Sequence, residues 1–260
     1  MPNNLVLPQL KSLFFALPKA ELHVHLAGAY PVYKIREFFR EKGISEKDIA
    51  KVTSVQDLYD DLTDFVNYYM VVASLVKTEE QIEQAAYAIC IKAAEDNVRY
   101  IELKLATSEL DPEKTQDKQK RLEQKEKMFF AVKNGVKKAK ENLFKKGFKQ
   151  TVKFMYTAER HEPPEMSLED AQLAVKWSKD PDNNFIGFDL AGDEVNFSID
   201  RHKDAIDYAK ENGLLITCHA GETLNSEKYS DVLSIKRAVE LGAKRIGHGL
   251  AACKDQSLID

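Results

Sequence analysis

One stretch of the sequence, Leu214-Leu-Ile-Thr-Cys-His-Ala-Gly-Glu-Thr223, indicates the fold. In it, a short apolar run ends on His219, and the carboxylate of Glu222 follows three residues later. This order is typical of a buried strand that passes into a loop. The stretch therefore predicts a strand whose functional groups lie where the strand ends.

Five further apolar runs have the length of buried strands. They cover residues 20–26, 98–105, 150–156, 185–190 and 245–248. Helical patterns lie between them, and Thr78 with Gln81 suits a capping box before the clearest one, 79–97. Strand and helix alternate without a glycine-rich dinucleotide loop, which favours a parallel (β/α)8-type barrel over a doubly wound sheet. Residues 30–78 add extra helices between the first and second strands.

Composition excludes several classes of partner. The chain carries 38 basic and 42 acidic residues, a net charge of -4, so it has no positive field for nucleic acid or an anionic membrane. No run of about 18 apolar residues predicts a membrane span. Three cysteines without CxxC spacing indicate reduced thiols. We expect a cytoplasmic protein with one barrel domain over residues 1–260 and a small-molecule partner.

Four of the six histidines, His23, His25, His219 and His248, lie at the ends of predicted strands. Alternate side chains of a strand share a face, so His23 and His25 can point at one ion. That pair alone also fits two strand-end histidines satisfied by hydrogen bonds. With His219 the set has three imidazoles, which suits a zinc ion that keeps one position for water. The pattern favours a metal-assisted hydrolase over a structural zinc site, which commonly uses cysteine.

The residues around these histidines have more than one possible role. Glu222 can be a fourth metal ligand, a helix cap or a proton carrier, and its place beyond a glycine favours proton transfer. His248, between two glycines, can orient or deprotonate the attacking water, or can pack as a strand-end histidine. The acids after the fourth strand can cap a helix, and Gly192 can present a bare backbone amide to a ligand. His161 and His202 lie in polar stretches and are predicted at the surface.

Several motifs together resemble the adenosine deaminase family. They are Pro18-Lys-Ala-Glu-Leu-His-Val-His-Leu-Ala-Gly-Ala29, Gly187-Phe-Asp-Leu-Ala-Gly-Asp-Glu194, His219-Ala-Gly-Glu222 and Arg245-Ile-Gly-His-Gly249, and residues 96–102 are similar to the family's second strand. The likeness runs from about residue 18 to residue 250, in the family's order. The family is a zinc-bearing (β/α)8 barrel that hydrolyses the 6-amino group of adenosine or a related purine and releases ammonia.

The resemblance implies roles for residues of this chain. Zinc is implied to be bound by three histidines, His23, His25 and His219. Glu222 is implied to donate a proton to the purine ring, and His248 to assist the attacking water. Substrate contacts are implied for His25 and for the backbone of Gly192. The function expected from the resemblance is zinc-dependent hydrolysis of adenosine to inosine and ammonia.

Two departures from the family bear on this expectation. Ala27 stands where the family commonly has an Asp that contacts the sugar, which leaves adenine or a modified adenosine as alternative substrates. The family's Ser-x-x-Thr-Asp-Asp segment, with a fourth zinc ligand and a purine-contacting acid, does not occur before Asp260. We therefore expect a chain truncated after six of eight βα units, inactive by itself and prone to self-association through two open sheet edges. A catalytically silent zinc-binding or interaction protein is the remaining alternative.

Overall fold

The structure, a computed structural model, describes residues 6–53, 69, 72–73, 75–106, 115, 117–224 and 231–259. Its elements begin with α1 (Val6–Ala16), β1 (Lys19–His25), α2 (Val32–Glu41), α3 (Glu46–Thr53) and α4 (Glu79–Glu95). They continue with β2 (Val98–Leu105), α5 (Lys118–Lys145), β3 (Thr151–Glu159), α6 (Pro164–Ser178) and β4 (Phe185–Ala191). The last are α7 (Lys203–Glu211), β5 (Leu215–Ala220), α8 (Asp231–Glu240) and β6 (Arg245–His248). None of the described helices is long and apolar enough to cross a bilayer.

In the described part of the chain, six strands form one sheet whose strand order follows chain order. The pairs β3–β4, β4–β5 and β5–β6 are parallel, so their carboxyl ends meet at the same edge of the sheet. Asp189 of β4 is in register with Thr217 of β5, and His219 with Gly247 of β6. This order confirms the predicted α/β class, a (β/α)8-type barrel represented by six βα units. The predicted extra helices between the first two strands are α2 and α3.

The chain divides into two compact units, and the first comprises Met1–Ser54, Val72–Leu103 and Leu110–Val152. In this unit α4 packs along α5, where the Asn142 side-chain amide donates to the Tyr87 hydroxyl at 2.6 Å. Thr78 and Gln81 close the predicted capping box at the start of α4. The cap satisfies backbone N–H groups that have no partner within the helix, so it fixes where α4 begins.

The second unit comprises Val55–Val71, Lys104–Glu109 and Lys153–Asp260. Its strands β4 and β5 are buried along almost their whole length, and α6 packs on β4 and α7. The ring of Trp177 stacks on Tyr156 with centroids 5.9 Å apart and meets Phe185 edge-on at 5.5 Å. These buried aromatic contacts hold α6 against β3 and β4.

The first and last strands of the sheet each have one neighbouring strand among the described residues. Most of β1 is exposed, including 45% of Leu22, and β6 is half-buried or exposed. Because unpaired strand edges pair with other chains, we predict that the 260-residue chain self-associates. Light scattering should give a mass above that of the monomer, and Leu22→Lys, which places a charge on β1, should reduce it. A monomeric wild-type chain at micromolar concentration would contradict this prediction.

Candidate active site

His23 and His25 lie near the carboxyl end of β1, in the first unit. Their Nε2 atoms are 3.1 Å apart and their ring centroids 5.1 Å apart, as expected for alternate residues on one face of a strand. Val24 between them is buried. Two imidazole nitrogens at this separation can share a proton or bind one cation.

His219 lies at the carboxyl end of β5, in the second unit, and is 5% exposed. Its Nδ1 atom is 3.1 Å from Oδ2 of Asp189 on the neighbouring strand β4. A carboxylate at Nδ1 favours the proton on that nitrogen and leaves the Nε2 lone pair for a ligand. Arg160 donates from Nη2 to the carbonyl oxygen of His219 at 2.7 Å, which also fixes the backbone of this residue.

Asp189 is fully buried, and a network of neighbours compensates its charge. Nζ of Lys104, a residue only 2% exposed, lies 2.9 Å from Oδ1 of Asp189. The hydroxyl groups of Thr217 and Thr157 donate to the same carboxylate. Burial alone would raise the pKa of Asp189, but the charge of Lys104 and the contacts with His219 hold it well below its ordinary value. Asp189 is therefore ionised beside His219.

Glu222 lies just after β5, and His248 is the last residue of β6. Their side chains face each other. Oε1 of Glu222 is 3.4 Å from Nε2 of His248, and the ring centroids of His248 and His219 are 5.2 Å apart. The side chains of Glu222 and His248 are 20% and 33% exposed. Burial, which disfavours the charged form, raises the pKa of Glu222 and lowers the pKa of His248. Burial therefore shifts both groups toward their neutral forms.

The backbone of His248 has a left-handed conformation, with φ of 64°. This conformation costs a non-glycine residue about 1–2 kcal/mol. The next residue, Gly249, donates its N–H to the carbonyl oxygen of Ala220 at 3.1 Å, which ties the end of β6 to the end of β5. Backbone strain of this kind concentrates at functional sites.

Gly192 directly follows β4 and has φ of 93°. A Cβ at this position would lie 2.9 Å from Oε2 of Glu159, so only glycine fits without displacing that carboxylate. The acid beside it does not cap a helix, because Oδ1 of Asp193 accepts from the N–H groups of Val195 and Asn196 and closes a turn. The loop after β4 therefore presents its backbone where a strand ends.

Glu194 is 4% exposed and accepts five hydrogen bonds from residues that the structure describes. Its Oε1 atom accepts from the N–H of Glu222 at 2.7 Å, and from the N–H and hydroxyl of Thr223 at 3.0 and 3.3 Å. Its Oε2 atom accepts from the N–H of Gly221 at 2.8 Å and the hydroxyl of Ser234 at 3.0 Å. The sequence does not predict these partners, because its only signal at this position is an acid close to the glycine that follows β4.

His161 and His202 have different environments, and the surface prediction for His202 is wrong. The side chain of His161 is 53% exposed, as predicted. His202 is 1% exposed, with Nδ1 2.6 Å from Oγ of Ser167 and Nε2 3.0 Å from the carbonyl oxygen of Arg160. The carbonyl oxygen can only accept, so Nε2 donates and Nδ1 accepts from the serine hydroxyl. These partners lie 35 and 42 residues away, which explains why the local polar pattern misleads.

His202 is predicted to make stability depend on pH. Burial lowers its pKa, so its contribution to stability is complete above the unfolded pKa of about 6.5 and is lost as the pH falls through the folded value. The free energy of unfolding, measured by urea titration, should therefore fall between pH 7.5 and 5 in the wild type and fall less in His202→Gln. The exposed His161→Gln is the control and should follow the wild type. Equal pH dependence in wild type and His202→Gln would contradict this account.

Acids and imidazoles of this chain lie at or just after the carboxyl ends of the parallel strands β4, β5 and β6. Barrels of the α/β class build their sites at that end of the sheet. The family described as adenosine deaminase matches residues 18–260. The chain belongs to the adenosine deaminase family. An adenosine deaminase from Lactococcus lactis is 31% identical over 248 residues, which cover 93% of this chain and 64% of that protein.

Two of the solved structures that resemble this chain are informative about its fold. The N6-methyl-AMP deaminase from Arabidopsis thaliana has a TM-score of 0.71 and 23% identity, over 92% of this chain and 66% of that one. An amidohydrolase from Burkholderia ambifaria with bound Zn has a TM-score of 0.73 and 20% identity, over 95% of this chain and 63% of that one. These similarities show a shared fold. The chain spans about two thirds of the length of these relatives.

Proposed function

We propose that the protein is a zinc-dependent aminohydrolase that converts adenosine to inosine and ammonia. The observation that carries the proposal is the arrangement after β5 and β6, where Glu222 faces His248 and the ring of His219 lies beside that of His248. An acid, a base and a metal-binding imidazole are the groups that hydrolytic removal of an amino group requires. Membership of the adenosine deaminase family supports amino-purines as the substrates of this chemistry.

The metal ligands in this proposal are His23, His25 and His219. The 3.1 Å between Nε2 of His23 and Nε2 of His25 suits one tetrahedral zinc ion, since two nitrogens about 2.0–2.1 Å from zinc are about 3.3 Å apart. Asp189 at Nδ1 of His219 supports ligation through Nε2. The bound Zn of the Burkholderia ambifaria amidohydrolase supports the choice of metal. When bound, zinc supplies a Lewis acid that activates water.

The proton transfers in this proposal belong to Glu222 and His248. Because burial raises its pKa, the carboxyl group of Glu222 keeps its proton to higher pH than an exposed glutamate does, and can donate it to a purine ring nitrogen. Because burial lowers its pKa, His248 is neutral at physiological pH and can accept a proton from the attacking water at Nε2. Ring protonation makes carbon 6 more electrophilic, and the water oxygen bonds to that carbon. The carbon–nitrogen bond then breaks as the amino group takes the proton held by His248 and leaves as ammonia. The hydroxyl proton left on the added oxygen returns to Glu222 as the carbonyl group of inosine forms. The backbone of Gly192 and the side chain of His25 are proposed to contact the substrate.

Adenine or a modified adenosine is the second candidate substrate. Ala27 is buried two residues after the end of β1 and offers no carboxylate for the sugar contact that the family commonly makes. The Arabidopsis thaliana protein with the same fold is an N6-methyl-AMP deaminase. The missing carboxylate supports a pocket that recognises the purine more strongly than the ribose, and the name of the Arabidopsis thaliana protein supports a modified amino-purine as the alternative substrate.

Rates on a panel of purines should decide between these substrates. We expect the native protein, purified from its source with zinc bound, to give a higher kcat/KM for adenosine than for adenine or N6-methyl-AMP. The change in purine absorbance follows each reaction. Ala27→Asp should raise the adenosine-to-adenine ratio of kcat/KM by about tenfold, the value of one restored hydrogen bond to a charged group. Ala27→Asn, of nearly equal volume, is the control for packing at this buried position. A preference for another purine would replace adenosine as the substrate, and no turnover of any would contradict the proposed function.

A further inference from the structure

Glu194 connects two loops of the second unit. It lies two residues after Gly192 on the loop that leaves β4, and its donors are residues 221–223 and Ser234 of α8. No described residue forms an ion pair with it. A buried carboxylate without a counter-ion is stable only when hydrogen-bond donors replace the lost water. Three of the five donors are backbone N–H groups of 221–223, so the carboxylate holds this backbone beside the loop that follows β4.

The constraint acts on the backbone from which Glu222 projects. The N–H of Glu222 makes the shortest of the five hydrogen bonds, at 2.7 Å. The N–H groups of Gly221 and Thr223 bind the same carboxylate at 2.8 and 3.0 Å. Three successive amides held by one group cannot rotate independently, so the peptide planes on both sides of Glu222 are fixed. Its side chain therefore starts from one Cα–Cβ direction and has few rotamers that reach His248.

We propose that Glu194 is a positioning residue, which holds residues 221–223 so that the carboxyl group of Glu222 stays beside His248. The catalytic consequence rests on the proposed function, whereas the constraint on 221–223 does not. Without the constraint, Glu222 samples orientations that do not reach the substrate. Loss of Glu194 should therefore lower kcat more than it raises KM.

Amide hydrogen exchange tests the constraint without requiring activity. Glu194→Gln replaces one carboxylate oxygen with an NH2 group, which cannot accept from backbone amides. We expect the amides of 221–223 to exchange at least about tenfold faster in this variant than in the wild type. The matched control is Asp193→Asn, because the neighbouring Asp193 accepts from the amides of Val195 and Asn196 instead. The control should leave exchange at 221–223 unchanged.

A second variant keeps the test decisive if the first does not fold. Glu194→Asp retains the charge and withdraws the carboxylate by one carbon–carbon bond, about 1.5 Å. We expect faster exchange at 221–223 in this variant as well. Wild-type exchange at these amides in a folded Glu194 variant, with folding checked by circular dichroism, would overturn the proposal.

A double-mutant cycle separates positioning from a general structural role. In the native protein, Glu194→Gln is expected to lower kcat about tenfold or more and to change KM less than about twofold. In a Glu222→Gln background the same change should alter kcat less than about twofold, because the positioned group has already been removed. Equal losses of kcat in both backgrounds would overturn positioning through Glu222.

The failure of this proposal and the failure of the proposed function give different results. Faster exchange at 221–223 in Glu194→Gln, with no turnover of any purine by the wild type, would support the constraint and overturn the proposed function. Wild-type exchange in the variants, with measurable deamination by the wild type, would overturn the constraint and leave the proposed function intact.

Discussion

Glu222→Gln is expected to lower kcat for adenosine deamination about a hundredfold or more, with fold and zinc content unchanged. The substituted side chain has nearly the same shape but cannot act as a carboxylic acid. Because Glu222 lies 3.4 Å from His248 and burial raises its pKa, the loss should fall on the chemical step and not on substrate binding. Steady-state kinetics measure kcat, elemental analysis measures the zinc content and circular dichroism checks the fold. Each is applied to the native protein and to its Glu222→Gln variant.

The matched control for this change is Glu211→Gln, at the exposed end of α7. It alters the same residue type at the surface and should keep the wild-type kcat. A kcat within about threefold of wild type in Glu222→Gln would remove this residue from the acid role. Loss of zinc together with activity would instead make Glu222 a metal ligand, one of the alternatives that its spacing from His219 allows.

His219→Ala is expected to remove the bound zinc and to lower kcat/KM on the order of a thousandfold or more, because a metal ion contributes several kcal/mol to such a reaction. The reason is structural: among the three proposed ligands His219 is the one whose Nδ1 contacts the ionised, buried Asp189. Elemental analysis of the gently purified native protein should give about one zinc per chain, and the variant should give little.

Another histidine provides the control for the metal experiment. His161→Ala removes an exposed imidazole of the same unit and should leave zinc content and kcat at wild-type values. A native protein that is fully active without metal would contradict the assignment. So would a His219→Ala variant that retains stoichiometric zinc.

The strands of this fold can be predicted because their signal is local. The sequence predicts strands over 98–105 and 245–248, which are the bounds of β2 and β6 in the structure. The predicted strand 214–219 differs from β5, Leu215–Ala220, by one residue at each end. Apolar runs of four to eight residues between helical patterns carry this information in consecutive positions. The same local signal predicts that His219 lies at the end of a strand.

The partners of the site residues cannot be predicted in this way, because they lie far along the chain. The donors to Glu194 are 27 to 40 residues away, and the partners of His202 are 35 and 42 residues away. No consecutive pattern records such contacts, so Glu194 resembles a helix cap and His202 a surface residue. Lys104 interrupts an apolar run, and a cation in a buried strand is the signal by which its pairing with Asp189 could be found.

Lys104 and Asp189 restrict how this sequence can diverge. Both charges are buried, and Lys104 is the cation that compensates Asp189. Replacing one alone leaves an uncompensated charge in the interior, which costs about 3–5 kcal/mol of the roughly 5–15 kcal/mol that stabilise a domain. A neutral pair of similar volume preserves the fold but takes the carboxylate away from His219. Substitutions at the two positions must therefore occur together if the fold is to be kept. Selection for folding in this way also maintains the geometry of the site.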